Sequence, residues 1–325
     1  MKILVIRFSS IGDIVLTSPV VRCLKQQLVD SEMHYLTKKS FASIVQNNPH
    51  IDKVFGFEKK VDEVLPELKK ENYDWIIDLH HNLRSMQVKR ALGKPSKSFD
   101  KLNIEKWLLV NFKINLLPNI HIVDRYFEAV THLGVKNDLK GMEFFIDKED
   151  LVSISTFPPE FQNGYVAFVI GAKHNTKKLP TEKIISICKK LNRPIILVGG
   201  KEDFEKGEKI ATQVSNVFNG CGKYNIQQSA SLIKQAEKVI THDTGMMHIA
   251  AAFRKKIISV WGNTVPEFGM YPYMPGHEEN VITTGSKIVE VKNLPCRPCT
   301  KIGFDKCPKG HFKCMNEIDE AAFIT

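Results

Sequence analysis

The stretch that decides the fold is Lys2-Ile-Leu-Val-Ile-Arg-Phe-Ser-Ser-Ile-Gly-Asp13. The apolar run Lys2–Ile6 reads as a strand buried on both faces. A polar turn holding a single glycine follows, and a helical period then runs from Ile14 to Leu28 with Pro19 near its start. A buried strand that feeds a helix through a short turn is the opening unit of an α/β fold. Working outward, short apolar runs recur at Met33–Leu36, Val54–Phe57 and Trp75–Asp78. Helical segments at Phe41–Val45 and Val61–Lys70 alternate with them, and helices between Glu105 and Leu133 are expected to close this half. The stretch Asp147 to Asn163, with Pro158-Pro159, breaks the pattern and reads as a linker. The alternation then restarts. Strands are expected at Tyr165–Ile170, Pro194–Val198, Val239–Thr241 and Ile257–Trp261, with helices at Thr181–Leu191, Glu202–Val214, Ile226–Lys234 and Met246–Phe253. The pattern predicts an α/β protein of two doubly wound, Rossmann-like domains, residues 1–155 and 156–325, facing a cleft. Ligands are expected there, at the carboxyl ends of the strands.

A length of 325 residues exceeds what one hydrophobic core organises, which supports the two-domain reading. The formal net charge is +10 and the pI is near 9.1, which favours anionic partners over a merely solubilising role. No apolar run reaches the roughly 20 residues of a membrane span, and Ile3–Ile6 is shorter than the core of a secretory signal. A cytoplasmic protein is expected.

The first turn lacks the Gly-x-Gly-x-x-Gly phosphate cradle, since only Gly12 is present. Asp13 falls at the helix start, where its carboxylate would compete with a pyrophosphate for the positive helix end, so a nucleotide is disfavoured in this half. Two readings of Asp13 stand side by side. It is a general base for an acceptor hydroxyl, or an acidic residue that complements the helix dipole. Ser9 and Ser10 either cap the helix or bond an acceptor, and Arg7 fits either reading.

Two motifs in the second half suit a diphosphate. After the strand at Tyr165–Ile170, Gly171-Ala-Lys-His-Asn-Thr-Lys-Lys-Leu-Pro180 brings three lysines ahead of a helix start. A solvated lysine loop is the plainer reading of that run. The segment His242-Asp-Thr-Gly-Met-Met-His248 is a strand end, a tight turn and a helix start, whose free amides suit phosphate at Asp243, Thr244 and Gly245. His248 lies one turn inside and is equally a packed core histidine.

Together, Ile6 to Pro19 and His242 to Trp261 resemble glycosyltransferase family 9, which contains the ADP-heptose:lipopolysaccharide heptosyltransferases. The resemblance implies a GT-B fold and inverting transfer without a catalytic metal. The transferred sugar would be a heptose or a related sugar, moved from a nucleotide-diphosphate donor, ADP-heptose first, to a lipopolysaccharide inner-core or lipid A-linked acceptor. It implies that Asp13 is the base and that Lys177 contacts the diphosphate. Glu202, Asp243, Thr244, Gly245 and His248 would bind the donor, and Ser9, Ser10, Arg84 and Ser85 the acceptor. Leu179 stands where the family commonly has tryptophan, and Ala172 and Lys173 replace frequent threonine or serine, so donor contacts near Lys177 are expected to be remodelled. The basic charge is compatible with peripheral contact at the anionic cytoplasmic face of the inner membrane.

Cys23, Cys188 and Cys221 lie in element-like segments and read as core thiols. Cys296, Cys299, Cys307 and Cys314 cluster in a Lys-, Pro- and Gly-rich tail. Four thiolates suit tetrahedral zinc, but only one Cys-x-x-Cys pair is present, so reduced packing thiols are placed ahead of zinc and no cofactor is assigned. Two rival functions share these residues. One is a nucleotide-sugar epimerase or hydrolase on the same architecture. The other is a basic, zinc-containing nucleic-acid binder, for which no motif beyond the cysteines speaks, so nucleic acid is not expected as a partner.

Overall fold

A computed structural model describes residues 1–274 and 286–324. The chain forms two compact units, each built on one parallel sheet.

The first unit comprises residues 1–101 and 120–145. Its elements begin with β1 (Lys2–Ile6), α1 (Ile11–Val15), α2 (Ser18–Gln27), β2 (Glu32–Lys38) and β3 (Lys53–Phe57). They continue with α3 (Leu65–Lys70), β4 (Trp75–Asp78), α4 (Leu83–Leu92) and β5 (Ser96–Ser98). The expected helix from Ile14 to Leu28 is two helices, because Pro19 sits at the start of the second, where its missing N–H costs nothing. Pro66 does the same for α3, leaving Val61–Glu63 as a 3₁₀ turn. The Phe41–Val45 segment is likewise a 3₁₀ turn, Lys39–Ile44. The strand order is β3-β2-β1-β4-β5, every pair parallel. Leu4, Ile6 and Phe8 pack with Leu36, Phe57 and Ile76 in the core, each such burial contributing about 1.5–3 kcal/mol. Arg22 on α2 is also buried. It donates to Asp138 at 2.7 and 2.9 Å and to the Gly141 carbonyl at 2.8 Å, which ties the 138–143 segment to the helix.

The second unit comprises residues 102–119 and 146–325, of which all but 275–285 and 325 are described. The division differs from the expected boundary at residue 155 in two ways: the first unit ends at Phe145, and the segment 102–119 belongs to the second. Hydrophobic burial is the cause. Leu109 of α5 (Asn103–Phe112) packs on Val265 and Phe268, and the Lys113 ammonium donates to the Pro298 carbonyl at 2.7 Å. Helix α6 (Ile122–Tyr126) returns to the first unit. The second unit then runs α7 (Pro159–Gln162), β6 (Val166–Val169), α8 (Thr181–Leu191), β7 (Ile195–Val198), α9 (Phe204–Ala211) and β8 (Val217–Asn219). It continues α10 (Ile226–Gln235), β9 (Lys238–His242), α11 (Gly245–Ala252), β10 (Lys256–Trp261), β11 (Lys287–Glu290) and α12 (Lys313–Asn316). Its strand order is β11-β10-β9-β6-β7-β8, again all parallel.

The order in which the parallel strands are laid down therefore reverses once in each sheet. In the first, β1, β2 and β3 run outward one way and β4 and β5 the other, so the switch lies between β1 and β4. In the second it lies between β6 and β9. The loops after these four strands diverge at the switch and leave a crevice where ligands bind in doubly wound sheets. Asp13, Arg84, Lys177 and Asp243 follow those four strands, whereas Glu202 follows β7. No helix among the described residues is long and apolar enough to cross a membrane.

Candidate active site

At the switch point of the first sheet, Asp13 is held from two sides. Its Oδ1 lies 2.5 Å from the Arg7 guanidinium, and its Oδ2 accepts from the Ser10 hydroxyl at 2.6 Å and from the Ser10 amide at 3.1 Å. Its side chain is about a quarter exposed, against a tenth for Arg7. Arg7 also donates to the Leu79 carbonyl after β4, so it bridges the two loops of the crevice. The two readings of Asp13 are thus compatible: the carboxylate accepts from the helix-start amide while one edge stays open to solvent. Ser10 thus holds the Asp13 carboxylate in place, and Ser9 contributes its carbonyl to Arg7 at 3.0 Å.

The other acceptor-side residues divide. Arg84 lies over the Phe8 ring at 5.7 Å with its side chain partly exposed. Ser85 is fully buried, and its hydroxyl is spent on Asp78 at 2.8 Å and on capping α4 with Asn82, so it offers nothing to an acceptor. Its assigned acceptor role is corrected to a structural one. Asp78, also fully buried, accepts from the His81 amide at 2.7 Å and pairs with Lys89 at 2.9 Å, which fixes the loop after β4. His80 in that loop was not singled out from the sequence. Its ring packs on Phe8, and burial first, then Arg7 and Lys101, pushes its pKa down to about 3. It is a neutral imidazole at physiological pH, and its Nδ1 has no partner among the described residues. The signal was the pair of histidines immediately after a strand end.

At the switch point of the second sheet, Lys177 and Asp243 meet. The Lys177 ammonium lies 2.5 Å from Asp243 Oδ2 and 3.2 Å from the Asp243 carbonyl, and Thr264 donates to the same Oδ2 at 2.8 Å. Asp243, Thr244, Gly245 and Met246 are a partly exposed window between buried His242 and buried Met247. Thr244 is the N-cap of α11, so the Gly245 and Met246 amides, in the first turn, have no helical acceptor and present positive charge to that window. His248 is buried on α11. His242 is a core residue. Its Nε2 accepts from the Leu179 amide at 3.0 Å, and burial pushes its pKa down to about 3.

Glu202 is exposed, whereas its neighbour Asp203 is buried and does the local work. Asp203 pairs with Lys178 at 2.9 Å and accepts from the Gly200 amide at 3.1 Å, and Gly171 lies so close to it that a Cβ there would collide with its carboxylate. Lys206, held near pKa 8 chiefly by burial, donates to the Leu179 carbonyl at 2.8 Å. Lys177, Lys178 and Lys206 thus surround two carboxylates and leave a local excess of positive charge beside the helix start, which suits a diphosphate.

With this geometry in view, the sequence profile of glycosyltransferase family 9 (heptosyltransferase) matches residues 63–301, well over half of the chain. The chain belongs to glycosyltransferase family 9. This family-9 chain is 26% identical to lipopolysaccharide heptosyltransferase 1 of Campylobacter coli, over 90% of its own length and 92% of the relative's. The fold is similar to that of Escherichia coli ADP-heptose lipopolysaccharide heptosyltransferase II, with a TM-score of 0.71 at 19% identity over 100% and 99% of the two chains. It is also similar to E. coli heptosyltransferase WaaC solved with ADP, with a TM-score of 0.65 at 20% identity over 84% and 91%. The protein is a glycosyltransferase of the GT-B type, with two Rossmann-like units.

Proposed function

We propose that this glycosyltransferase moves a heptose from ADP-heptose to an inner-core lipopolysaccharide acceptor, with inversion, at the cytoplasmic face of the inner membrane. The observation that carries the reading is the convergence, in a family-9 chain, of Lys177 and the first turn of α11 at the crevice of the second sheet. In this reading the diphosphate of the donor takes the window at Asp243–Met246. Lys177 and the Gly245 and Met246 amides stabilise the charge that grows on it as the glycosidic bond breaks. Asp13 accepts the proton of the attacking acceptor hydroxyl, a contribution typically of about 10²–10⁴-fold. Arg7 and the Ser10 amide hold the carboxylate in one orientation for that step. Arg84 and neutral His80 serve the acceptor, one as a cation for its anionic groups and the other as a hydrogen-bonding partner for its hydroxyls. A single displacement from the face opposite the diphosphate inverts the anomeric centre.

A thermal-shift screen of ADP, GDP and UDP with their sugars tests the donor half. A ligand that binds only the native state raises the melting temperature with its occupancy. ADP and ADP-heptose are expected to stabilise the protein most. Equal or larger shifts with the uridine or guanosine series would remove the donor assignment.

A further inference from the structure

We propose that Cys296, Cys299, Cys307 and Cys314 bind one thiophilic metal ion of the zinc–iron class, and that this ion buttresses both sides of the Lys177–Asp243 pair. The second half rests on the donor-site reading above; the first does not.

Between the end of β11 at Glu290 and the start of α12 at Lys313 no helix or strand intervenes. A stretch of about this length without secondary structure is uncommon in a compact domain unless something other than its own core holds it. Its two ends are fixed. At one end Arg297, inside the Cys-x-x-Cys turn, donates to the carbonyls of Val291 at 2.6 Å and Thr264 at 2.9 Å and pairs with Glu290 at 2.9 Å. At the other, Cys314 and Met315 enter the core of the second unit. The sequence between them returns on itself, so that Cys299 and Cys314 each lie within electrostatic reach of the other three thiols. His311 adds a donor to the group. Its Nδ1 accepts from the Lys313 amide at 3.1 Å, which puts the proton on Nε2, 4.0 Å from the Cys296 sulfur. An N–H aimed at a cysteine sulfur is what steadies a metal-bound thiolate.

All four are free cysteines, and a four-sulfur donor set is the preference of zinc and iron. In this geometry no three of the sulfurs lie within 4.8 Å of one another, so binding has to draw the loop inward while each coordinating thiol gives its proton to solvent. Among the described residues the group that does meet that distance is Glu32, His34 and Glu71. Lys2 and Lys53 already occupy Glu71 at 2.8 and 2.6 Å, which makes it an ion-pair network instead.

The consequence for the donor site follows from two contacts. The Cys299 amide donates to the Asn263 carbonyl at 3.0 Å, next to Thr264, which bonds Asp243. Phe304 exchanges bonds with Thr176, next to Lys177: its amide donates to the Thr176 hydroxyl at 2.8 Å, and its carbonyl accepts from the Thr176 amide at 3.0 Å. The cysteine loop therefore reaches both partners of the pair through a single residue each.

The test uses the full chain, untagged and purified without chelator. Metal analysis is expected to find about one equivalent of zinc or iron. Cobalt(II) added to the reduced, metal-stripped protein is expected to produce the thiolate charge-transfer and tetrahedral d–d absorption bands, and Cys299→Ser and Cys314→Ser to abolish them. The cobalt spectrum of the unmodified chain decides the matter even if a variant fails to fold. Absence of metal together with absence of these bands overturns the proposal. So does a Cys–Cys disulfide found by mass in protein prepared under reducing conditions, or metal retained by both variants. Stripping the metal is expected to weaken ADP binding at least tenfold. Unchanged ADP affinity overturns the buttress while the metal site stands, and no ADP binding in either state overturns the donor reading instead.

Discussion

The Lys177 ammonium sits 2.5 Å from Asp243 Oδ2, a carboxylate that Thr264 also holds, at the mouth of the second sheet. The lysine is therefore oriented before any donor arrives, and a diphosphate has only to share it. Charge-assisted hydrogen bonds of this kind contribute about 1.5–3 kcal/mol. Lys177→Ala is expected to weaken ADP binding about 10–100-fold in a calorimetric titration and to leave the fold intact. Wild-type ADP affinity in that variant would remove Lys177 from the site.

Asp13→Asn keeps the size of the side chain and an oxygen able to accept from Ser10, but removes the proton acceptor. The turnover number is expected to fall about 10²–10⁴-fold while ADP affinity stays within a factor of two or so. Parallel loss of donor binding and turnover would show that Asp13 acts on the structure of the site and not on the proton.

Acid sensitivity follows from His242. Burial holds its pKa near 3 in the folded chain, whereas an unfolded histidine titrates near 6.5. Between these values the unfolded chain binds the extra proton, so this contribution to stability is fully present above about pH 6.5 and is lost as pH falls toward 3. The loss is on the order of 2 kcal/mol by pH 5, read as a falling urea midpoint. His242→Gln retains an acceptor for the Leu179 amide but cannot charge, so its midpoint should change less between pH 7 and pH 5. An identical slope in both proteins would place the acid sensitivity elsewhere. Glu71, held near 2 by hydrogen bonds from Lys2 and Lys53, acts in a separate window below about pH 4.5.

Arg22→Met tests the buried ion cluster of the first unit. The substitution leaves Asp138 and Glu143 facing a buried apolar side chain. Because both carboxylates keep some solvent contact, the expected cost is about 2–3 kcal/mol, below that of a fully buried pair. Denaturant titration reads it directly. Arg22→Lys should recover little, since an ammonium cannot make the two-pronged contact to Asp138.

Much of this was legible in the chain because the signals were local. Buried parallel strands are continuous apolar runs, and β1, β4, β6, β7 and β10 carry them. The short edge strands β5 and β8, Ser96–Ser98 and Val217–Asn219, have three residues each and no such run, so they carried no signal. Helix α4 was also missed, since its weakly amphipathic face buries little besides Ser85 and Val88. The membership of α5 in the second unit depends on Leu109 meeting Val265 and Phe268, a contact that no window of sequence displays. In the candidate site, Asp13 and the turn at Asp243 stand out in the sequence by their places after strands, and Lys177 by the family resemblance. Their partners do not: Arg7 is ambiguous in the sequence and only the fold puts its guanidinium on Asp13, and which of the adjacent acids Glu202 and Asp203 turns inward depends on the fold.

The central claim is a single displacement in which Asp13 takes a proton and the second unit holds the departing diphosphate. The most direct measurement is the product of ADP-heptose and an inner-core acceptor, with its new anomeric linkage assigned by NMR. Transfer with inverted configuration is predicted for the wild-type chain, and almost none for Asp13→Asn. A linkage that retains the donor's configuration, or donor hydrolysis without transfer, would contradict the account.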